Sequence, residues 1–352
     1  LGLLLPAQLA ILGVFLINGF EFAEVLWRPR WQRAFASLPA ARTDRLPKVS
    51  IHLACANEPP EMVILTLDSP ARLDYPDFEV LVVDNNTEKE EVWKPVEAHC
   101  ATLGPRFRFY HLNPWPGFKA GALNFALKQT APDAEIVGVV DSDYVVAPEW
   151  LRHFVPHFQS DPAVAVVQAP QAHMDWEHNA FRRMCNWEFD GFFRIGMHHR
   201  NERNAIIQHG TMTLVRREPL QRTGGWAEWC ICEDAELGLR LMHEGLETRY
   251  IDEVVGRGLT PADLSAYKSQ RYRWAFGAMQ ILKRHWSWLT MPGPLSAGQR
   301  FHFLTGWFSW FADALHLVFT LMAVFWTLGM VSYRELFTLP LSLFLIPVLG
   351  FF

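Results

Sequence analysis

The sequence predicts an α/β domain with a mostly parallel sheet, flanked by transmembrane α-helices. Short buried strands alternate with helices in the middle of the chain, which is typical of α/β domains. Long apolar runs lie near both ends. Of the 352 residues, 50% are hydrophobic and 20% are charged, so a globular portion is joined to membrane-type segments. The net charge of -5 and the lack of a basic stripe argue against nucleic acid as a partner.

Three apolar runs predict membrane spans. Residues 1–20 carry no charge and are long enough to cross ~30 Å of hydrocarbon. Residues 303–331 and 336–352 form the second and third runs. We expect transmembrane helices within residues 1–27 and 301–352. The first run lacks the basic leader of a signal peptide, and the chain starts and stops inside apolar runs, which indicates a fragment of a larger membrane protein.

Basic residues indicate how the chain is oriented. They crowd into residues 28–48, a basic linker, and recur at Lys283, Arg284 and Arg300. By the positive-inside rule, the middle domain at residues 49–262 faces the cytoplasm of a multi-pass protein of the inner (plasma) membrane. The five cysteines show no disulfide or zinc spacing, which fits reduced cytosolic thiols.

The middle domain contains alternating strand and helix patterns. Helices are predicted at residues 61–67, 121–129 and 235–244. Strands are predicted at residues 49–54, 79–84, 106–111, 136–141, 164–168 and 205–208. The continuous apolar runs at 79–84 and 136–141 predict strands buried on both faces. Ligands gather at the carboxyl ends of parallel strands, where Asp84 and Asp141 stand, so one pocket is expected to hold both.

Carboxylates follow two of these strands. Asp141 and Asp143 lie one residue apart, and Mg²⁺ or Mn²⁺ takes carboxylate and phosphate oxygens of this kind. A metal there would neutralise charge on a leaving diphosphate. The alternative is that these residues only form a turn, which Asp and Ser favour. Asp84, with Asn85, Asn86 and Thr87 after it, offers groups for a base or ribose. A turn with Asx caps is the competing interpretation.

Two helix starts also carry charged side chains. Lys119 stands where helix N-terminal amides attract phosphate, and a solvated lysine is the alternative. Glu233 and Asp234 open the helix at 235–244. They are either an acid pair favoured by the helix dipole or a site in which Asp234 is a general base. The two interpretations are compatible, because a cap can orient a catalytic acid.

Two further segments suggest sugar binding. His209, Gly210 and Thr211 follow a predicted strand, and the glycine permits close backbone approach to an acceptor sugar; a strand-end turn is the alternative. Residues 263–300 predict amphipathic interface helices. On them Gln270, Arg273 and Trp274 share one face, where a guanidinium suits a diphosphate and an indole suits a sugar ring. A helix with Trp and Arg at the lipid headgroups is the competing interpretation.

These motifs, in this order, resemble the processive family 2 glycosyltransferases, which include the cellulose, chitin, hyaluronan and curdlan synthases. The resemblance covers roughly the whole chain. It implies a cytoplasmic glycosyltransferase domain of the GT-A type, Rossmann-like, beside transmembrane helices. The positions that match the family motifs are Asn57 and Glu58, Asp84, Lys119, Asp141 and Asp143, the turn at 208–211, Glu233 and Asp234, and Gln270, Arg273 and Trp274. One departure is Cys232, which replaces the usual threonine before the acid pair.

The resemblance implies an inverting single displacement. The donor-binding set would be Asn57, Glu58, Asp84, Lys119, Asp141, Asp143, Gln270 and Arg273. A Mg²⁺ or Mn²⁺ ion would be held by Asp141 and Asp143. The acceptor-binding set would be Trp274, His209, Gly210 and Thr211. The catalytic pair would be Asp234, the base, and Glu233.

The segments at residues 83–87, 113–119 and 185–190 look most like the bacterial β-1,3-glucan synthase branch, of the NdvB type. That likeness implies UDP-glucose as the donor and a growing β-1,3-glucan chain extruded across the lipid bilayer. The alternatives are cellulose, a mixed-linkage glucan or a glucomannan. A non-processive transferase acting on a lipid carrier and an inactive transport subunit are two others. No sequence motif encodes the linkage of the product or the oligomeric state of the protein.

Overall fold

The computed structural model describes residues 4–38 and 45–333. The chain divides into two compact units. One is Trp31–Arg300, and the other joins Leu1–Arg30 to Phe301–Phe352. The second unit contributes helix α1 (Leu4–Trp27), whose segment Gln8–Trp27 is long and apolar enough to cross a membrane. The predicted span at residues 336–352 lies outside the described residues.

The larger unit is built on a seven-stranded mixed sheet. Its strands, in chain order, are β1 (Lys48–Cys55), β2 (Phe78–Asn85), β3 (Phe107–Leu112), β4 (Ala134–Asp141), β5 (Val145–Val146), β6 (Val164–Gln168), β7 (Ala172–His173), β8 (Thr213–Arg216), β9 (Glu247–Tyr250) and β10 (Gly256–Gly258). The main sheet has the order β3-β2-β1-β4-β8-β6-β9, and β5-β10-β7 form a small second sheet. Strands β1 to β4 are parallel, while β8 runs antiparallel to both β4 and β6.

Helices follow most strands, as expected for an α/β domain. They are α2 (Pro60–Asp68), α3 (Glu90–Thr102), α4 (Phe118–Gln129), α5 (Trp150–Ser160), α6 (Ala180–Gly191), α7 (His198–Asn201), α8 (Arg217–Arg222), α9 (Glu233–His243) and α10 (Leu264–Thr290). Helix α11 (Ala297–Ser332) continues into the smaller unit and is also long and apolar enough to span a membrane. Two of the three predicted apolar runs therefore form helices of membrane-spanning length.

The central strands are buried as their sequences predict. All eight residues of β2 are buried, because helices cover both faces of the sheet. In the register, Cys55 pairs with Asp84 on one side, and Ala54 pairs with Asp141 on the other. The carboxyl ends of three strands therefore meet at one edge, where Asp84 and Asp141 lie on either side of β1.

The predicted strand at residues 205–208 is wrong. This segment is irregular, and the strand comes later, at β8. Asn204 and Met212 take left-handed backbone angles, with φ of 51° and 52°, and such residues interrupt a strand. The β-branched and apolar residues that pair with β4 lie after Met212, and Ala205 and Ile206 are buried in the core without joining the sheet.

Candidate active site

Four of the predicted site residues meet at the carboxyl end of β4. Lys119, in the first turn of α4, forms an ion pair with Asp141 through its ammonium group. The same Nζ donates to the carbonyl oxygen of Gly210 at 3.0 Å. The backbone N–H of Asp141 donates to Thr211 Oγ1, also at 3.0 Å. The metal motif, the helix-start lysine and the turn after residue 208 thus form one cluster.

The acid pair lies against the same turn. A Cβ atom placed on Gly210 would lie 2.9 Å from Lys119 Nζ and 3.1 Å from Asp234 Oδ2. Only a glycine leaves room for both charged groups at this position. Asp234 Oδ1 accepts from the Ala235 N–H at 2.7 Å, which fixes the carboxylate at the start of α9. Glu233 is buried next to it.

Burial and neighbouring charge set the protonation of these groups. Burial raises the pKa of Asp234 above its ordinary value, and the Lys119 ammonium opposes this shift. Burial, and then the Asp234 carboxylate, raise the pKa of Glu233. For Lys119, burial opposes the charged form, but Asp141, Glu233 and Asp234 together outweigh it and raise its pKa. The Lys119 ammonium thus faces several acids at a site that is partly open to water.

Asp141 and Asp143 suit a divalent cation. Burial, and then the Asp141 carboxylate, raise the pKa of Asp143 to about 7. The negative charge at this edge is therefore not balanced by Lys119 alone, and a bound cation would offset it. Two hard carboxylate oxygens at a strand end are the donors that Mg²⁺ and Mn²⁺ favour, so the residues fit such a metal.

Asp84 lies at the same sheet edge, but its oxygens already have partners. The side chain is 3% exposed; Oδ1 accepts from the Thr87 hydroxyl at 2.6 Å and Oδ2 lies 2.7 Å from His111 Nδ1. The His111 ring stacks on Trp93 with ring centroids 4.2 Å apart. Here Asp84 fixes the loop after β2 and the edge strand β3. Its predicted contact with the donor base stays a prediction.

Asn57 and Glu58 follow β1 in the adjoining loop. Asn57 has a left-handed backbone, with φ of 60°, and its N–H donates to Thr87 Oγ1 at 2.9 Å. Glu58 accepts from the Ala56 N–H, and burial raises the pKa of its carboxyl group. These contacts link the loops after β1 and β2, which places both predicted donor-binding residues beside Asp84.

The predicted sugar-binding segment of α10 reaches the residue before the acid pair. Cys232 Sγ lies 3.8 Å from the carbonyl oxygen of Arg273, whose side chain is exposed. The Trp274 indole lies 5.8 Å from the Phe189 ring and 4.2 Å from the Arg271 guanidinium. The buried Gln270 Oε1 accepts no hydrogen bond from any described residue.

Gln168, which no sequence motif had singled out, holds the Gly210 turn in place. It is fully buried at the end of β6. Its Nε2 donates to the Thr211 carbonyl and its Oε1 accepts from the His209 N–H, both at 2.9 Å. The His209 ring packs against the rings of Phe192 and Phe193, and burial lowers the pKa of His209 to about 4. An amide that ends an all-apolar strand was the available signal, since buried polar groups need partners.

Residues 47–277 match the family model described as Glycosyltransferase like family 2, and the chain belongs to that family. The mixed α/β fold around the central sheet is of the GT-A type. The prediction of a family 2 glycosyltransferase is thereby confirmed. Its processive and β-1,3-glucan parts stay predictions.

Several curated plant proteins are similar to the chain. A probable glucomannan 4-beta-mannosyltransferase 7 of Oryza sativa subsp. japonica is 25% identical over 293 residues, covering 80% of this chain and 50% of the relative. Glucomannan 4-beta-mannosyltransferase 2 of Arabidopsis thaliana is 25% identical over 249 residues, covering 69% and 46%. The chain thus spans about half the length of these relatives, whose names indicate mannosyl transfer rather than β-1,3-glucan synthesis.

Solved structures share the fold. The mannosyltransferase PcManGT from Pyrobaculum calidifontis, in complex with GDP-Man and Mn²⁺, superposes with a TM-score of 0.70 at 20% identity, covering 99% of this chain and 91% of that one. TarS from S. aureus, in complex with UDP-GlcNAc, gives a TM-score of 0.51 at 17% identity over 74% of this chain and 71% of TarS.

Proposed function

We propose that the chain is the catalytic part of a membrane-bound, processive synthase that builds a β-linked hexose polymer by inverting transfer. One observation carries the proposal. Asp234 and Lys119 converge on Gly210, because a Cβ atom placed there would lie 3.1 Å from Asp234 Oδ2 and 2.9 Å from Lys119 Nζ. A base and a cationic group thus lie close together at the carboxyl edge of the sheet, where such domains bind ligands.

In the proposed reaction, Asp234 Oδ2 accepts the proton of an acceptor hydroxyl. The freed oxygen attacks the anomeric carbon on the face opposite the nucleotide, and the bond to the diphosphate oxygen breaks. Configuration at the anomeric carbon is inverted. Because the pKa of Asp234 is raised, the base is matched to proton transfer near neutral pH.

The remaining residues bind and orient the two substrates. Lys119 and Arg273 offer cationic groups to the diphosphate, and Asn57, Glu58 and Asp84 line the donor side. Trp274 offers an indole face to the acceptor, beside His209 and Thr211. Asp141 and Asp143 would hold Mg²⁺ or Mn²⁺, which neutralises charge on the leaving nucleotide. Alignment of the reacting atoms supplies much of the rate.

We propose UDP-glucose as the donor and a β-1,3-glucan as the product, on the likeness of residues 83–87, 113–119 and 185–190 to that branch. The second candidate is GDP-mannose with a β-mannan or glucomannan product. The plant relatives named as glucomannan mannosyltransferases favour it. In both cases the catalytic unit would face the cytoplasm of the inner membrane, and the polymer would leave across the bilayer.

The donor and the linkage are tested together. The purified full-length protein is given labelled UDP-glucose or labelled GDP-mannose, each with Mg²⁺ or Mn²⁺. Any polymer is then digested separately with a β-1,3-glucanase, a cellulase and a β-mannanase. Polymer from UDP-glucose that only the first enzyme digests supports the proposal. Polymer from GDP-mannose alone, digested by the mannanase, would assign the second candidate.

A further inference from the structure

The loop that precedes the acid pair, residues 229–232, is fastened to α10 by one glutamine side chain. We call this segment the acid loop. Gln280 Nε2 donates to the Trp229 carbonyl oxygen at 2.8 Å, and Gln280 Oε1 accepts from the Ile231 N–H at 3.0 Å. A single planar amide thus satisfies a backbone acceptor and a backbone donor two residues apart. Both distances are those of well-formed hydrogen bonds.

A glycine of α10 allows the same loop to approach closely. A Cβ atom on Gly277 would lie 2.4 Å from Cys232 Sγ and 2.8 Å from Cys232 Cβ, distances that no relaxed structure tolerates. Cys232 Sγ also lies 4.0 Å from the Trp274 carbonyl oxygen, and Cys230 Sγ lies 4.0 Å from that of Gly277. Any larger side chain at position 277 would push the acid loop away from the helix.

These contacts lie on one face of α10. Arg273, Gly277 and Gln280 are spaced by four and three residues, so they line up along the helix surface. Asp234 follows the acid loop after two residues, and α9 begins at Glu233. The position of the acid loop on α10 therefore sets where α9 starts and where the Asp234 carboxylate points.

We propose that Gln280 and Gly277 are positioning residues that hold Asp234 at the Gly210 turn through the acid loop. The helix that carries Gln270, Arg273 and Trp274 thereby aligns the base with the groups that bind donor and acceptor. This inference rests on the proposed role of Asp234 as the general base. Gln280 acts through the backbone of Trp229 and Ile231, to which its side chain is hydrogen-bonded.

The first test compares Gln280→Ala with Gln221→Ala, a matched change of an exposed glutamine on α8. The turnover number is measured from nucleotide release, and donor affinity is measured by calorimetric titration. For Gln280→Ala we expect kcat to fall about 10- to 100-fold, as for a misaligned reacting group, while donor affinity changes less than about twofold. Gln221→Ala should match the wild type. A wild-type kcat in Gln280→Ala overturns the inference.

The second test uses Gly277 and does not depend on the first. Gly277→Ala should lower kcat because the new Cβ displaces Cys232, and Cys232→Gly in the same chain should restore part of it, since both of the closest atoms are then removed. If Gln280→Ala fails to fold, this pair decides the matter: rescue supports the inference, and no rescue overturns it.

Asp234→Asn is measured in parallel and separates the two proposals. If Asp234→Asn turns over like the wild type, the proposed role of Asp234 fails, and the inference fails with it. If Asp234→Asn is inactive but Gln280→Ala and Gly277→Ala are both fully active, only the positioning role is wrong.

Discussion

Gly210→Ala should abolish most activity while leaving the fold stable. The added Cβ would lie 2.9 Å from Lys119 Nζ and 3.1 Å from Asp234 Oδ2, and both are closer than ordinary van der Waals contact. Lys119 cannot simply swing away, because its ammonium is paired with Asp141 and also donates to the Gly210 carbonyl. The methyl group would therefore displace the base, the lysine or the turn by several tenths of an ångström.

The size of the effect follows from this geometry. Overpacking of one methyl costs about 1–3 kcal/mol in a rigid core, and we expect the lower end of that range here because Gly210 is only partly buried. Catalysis is more sensitive, since a misplacement of about 1 Å can cost about 100-fold in rate. We expect kcat to fall about 10- to 100-fold and the melting temperature to change by only a few degrees.

The assay measures nucleotide release and polymer formation by the purified protein, together with thermal melting. Gly293→Ala is the matched control, since no atom of the described residues lies within 4 Å of a Cβ at that position. The reasoning is refuted if Gly210→Ala keeps more than half of the wild-type kcat. It is also refuted if activity is lost only in proportion to a loss of folded protein.

Three further predictions concern the surroundings of the site. Gln168→Ala should lower both the melting temperature and kcat, because it leaves the His209 N–H without its hydrogen-bond acceptor at a cost of about 1–3 kcal/mol. An unchanged melting temperature would contradict this. Burial lowers the pKa of His52 to about 3, whereas the unfolded chain protonates this ring below pH ~6.5. The free energy of unfolding therefore falls by about 1.4 kcal/mol per pH unit as the pH drops from ~6.5 towards 3. Melting of His52→Asn should therefore depend less on pH between 6.5 and 4 than melting of the wild type, and equal slopes would count against it. Removal of divalent cations with EDTA should stop transfer, and Mn²⁺ or Mg²⁺ should restore it; full activity in EDTA would exclude the metal proposed on Asp141 and Asp143.

The sequence predicted the central part of the fold well because the central strands are apolar along their whole length. Strands β2 and β4 were found within two residues at each end, and the register brings Asp84 and Asp141 to one edge as expected. Helices α3 and α5 were not predicted. Each contains a proline, Pro95 and Pro156, which argues against a helix when the sequence is taken alone.

The site was predicted in part, and the missing part depends on long-range contacts. Lys119, Gly210 and Asp234 are far apart in sequence, and only the fold shows that they share one space. Gln168 and Gln280 act through backbone groups more than 40 residues away, so no local pattern marks them. The wrong strand at 205–208 has the same origin, because the pairing of β4 with residues after Met212 is a long-range contact.

The central claim is that Asp234 is the base of an inverting transfer. The most direct measurement is polymer formation from UDP-glucose and from GDP-mannose by wild-type protein and by Asp234→Asn, with donor binding measured on the same samples. General bases contribute about 100- to 10,000-fold, so the account predicts that the variant binds donor normally and forms almost no polymer. It also predicts that the wild-type product is β-linked. Polymer formation by Asp234→Asn at the wild-type rate, or an α-linked product, would contradict the account.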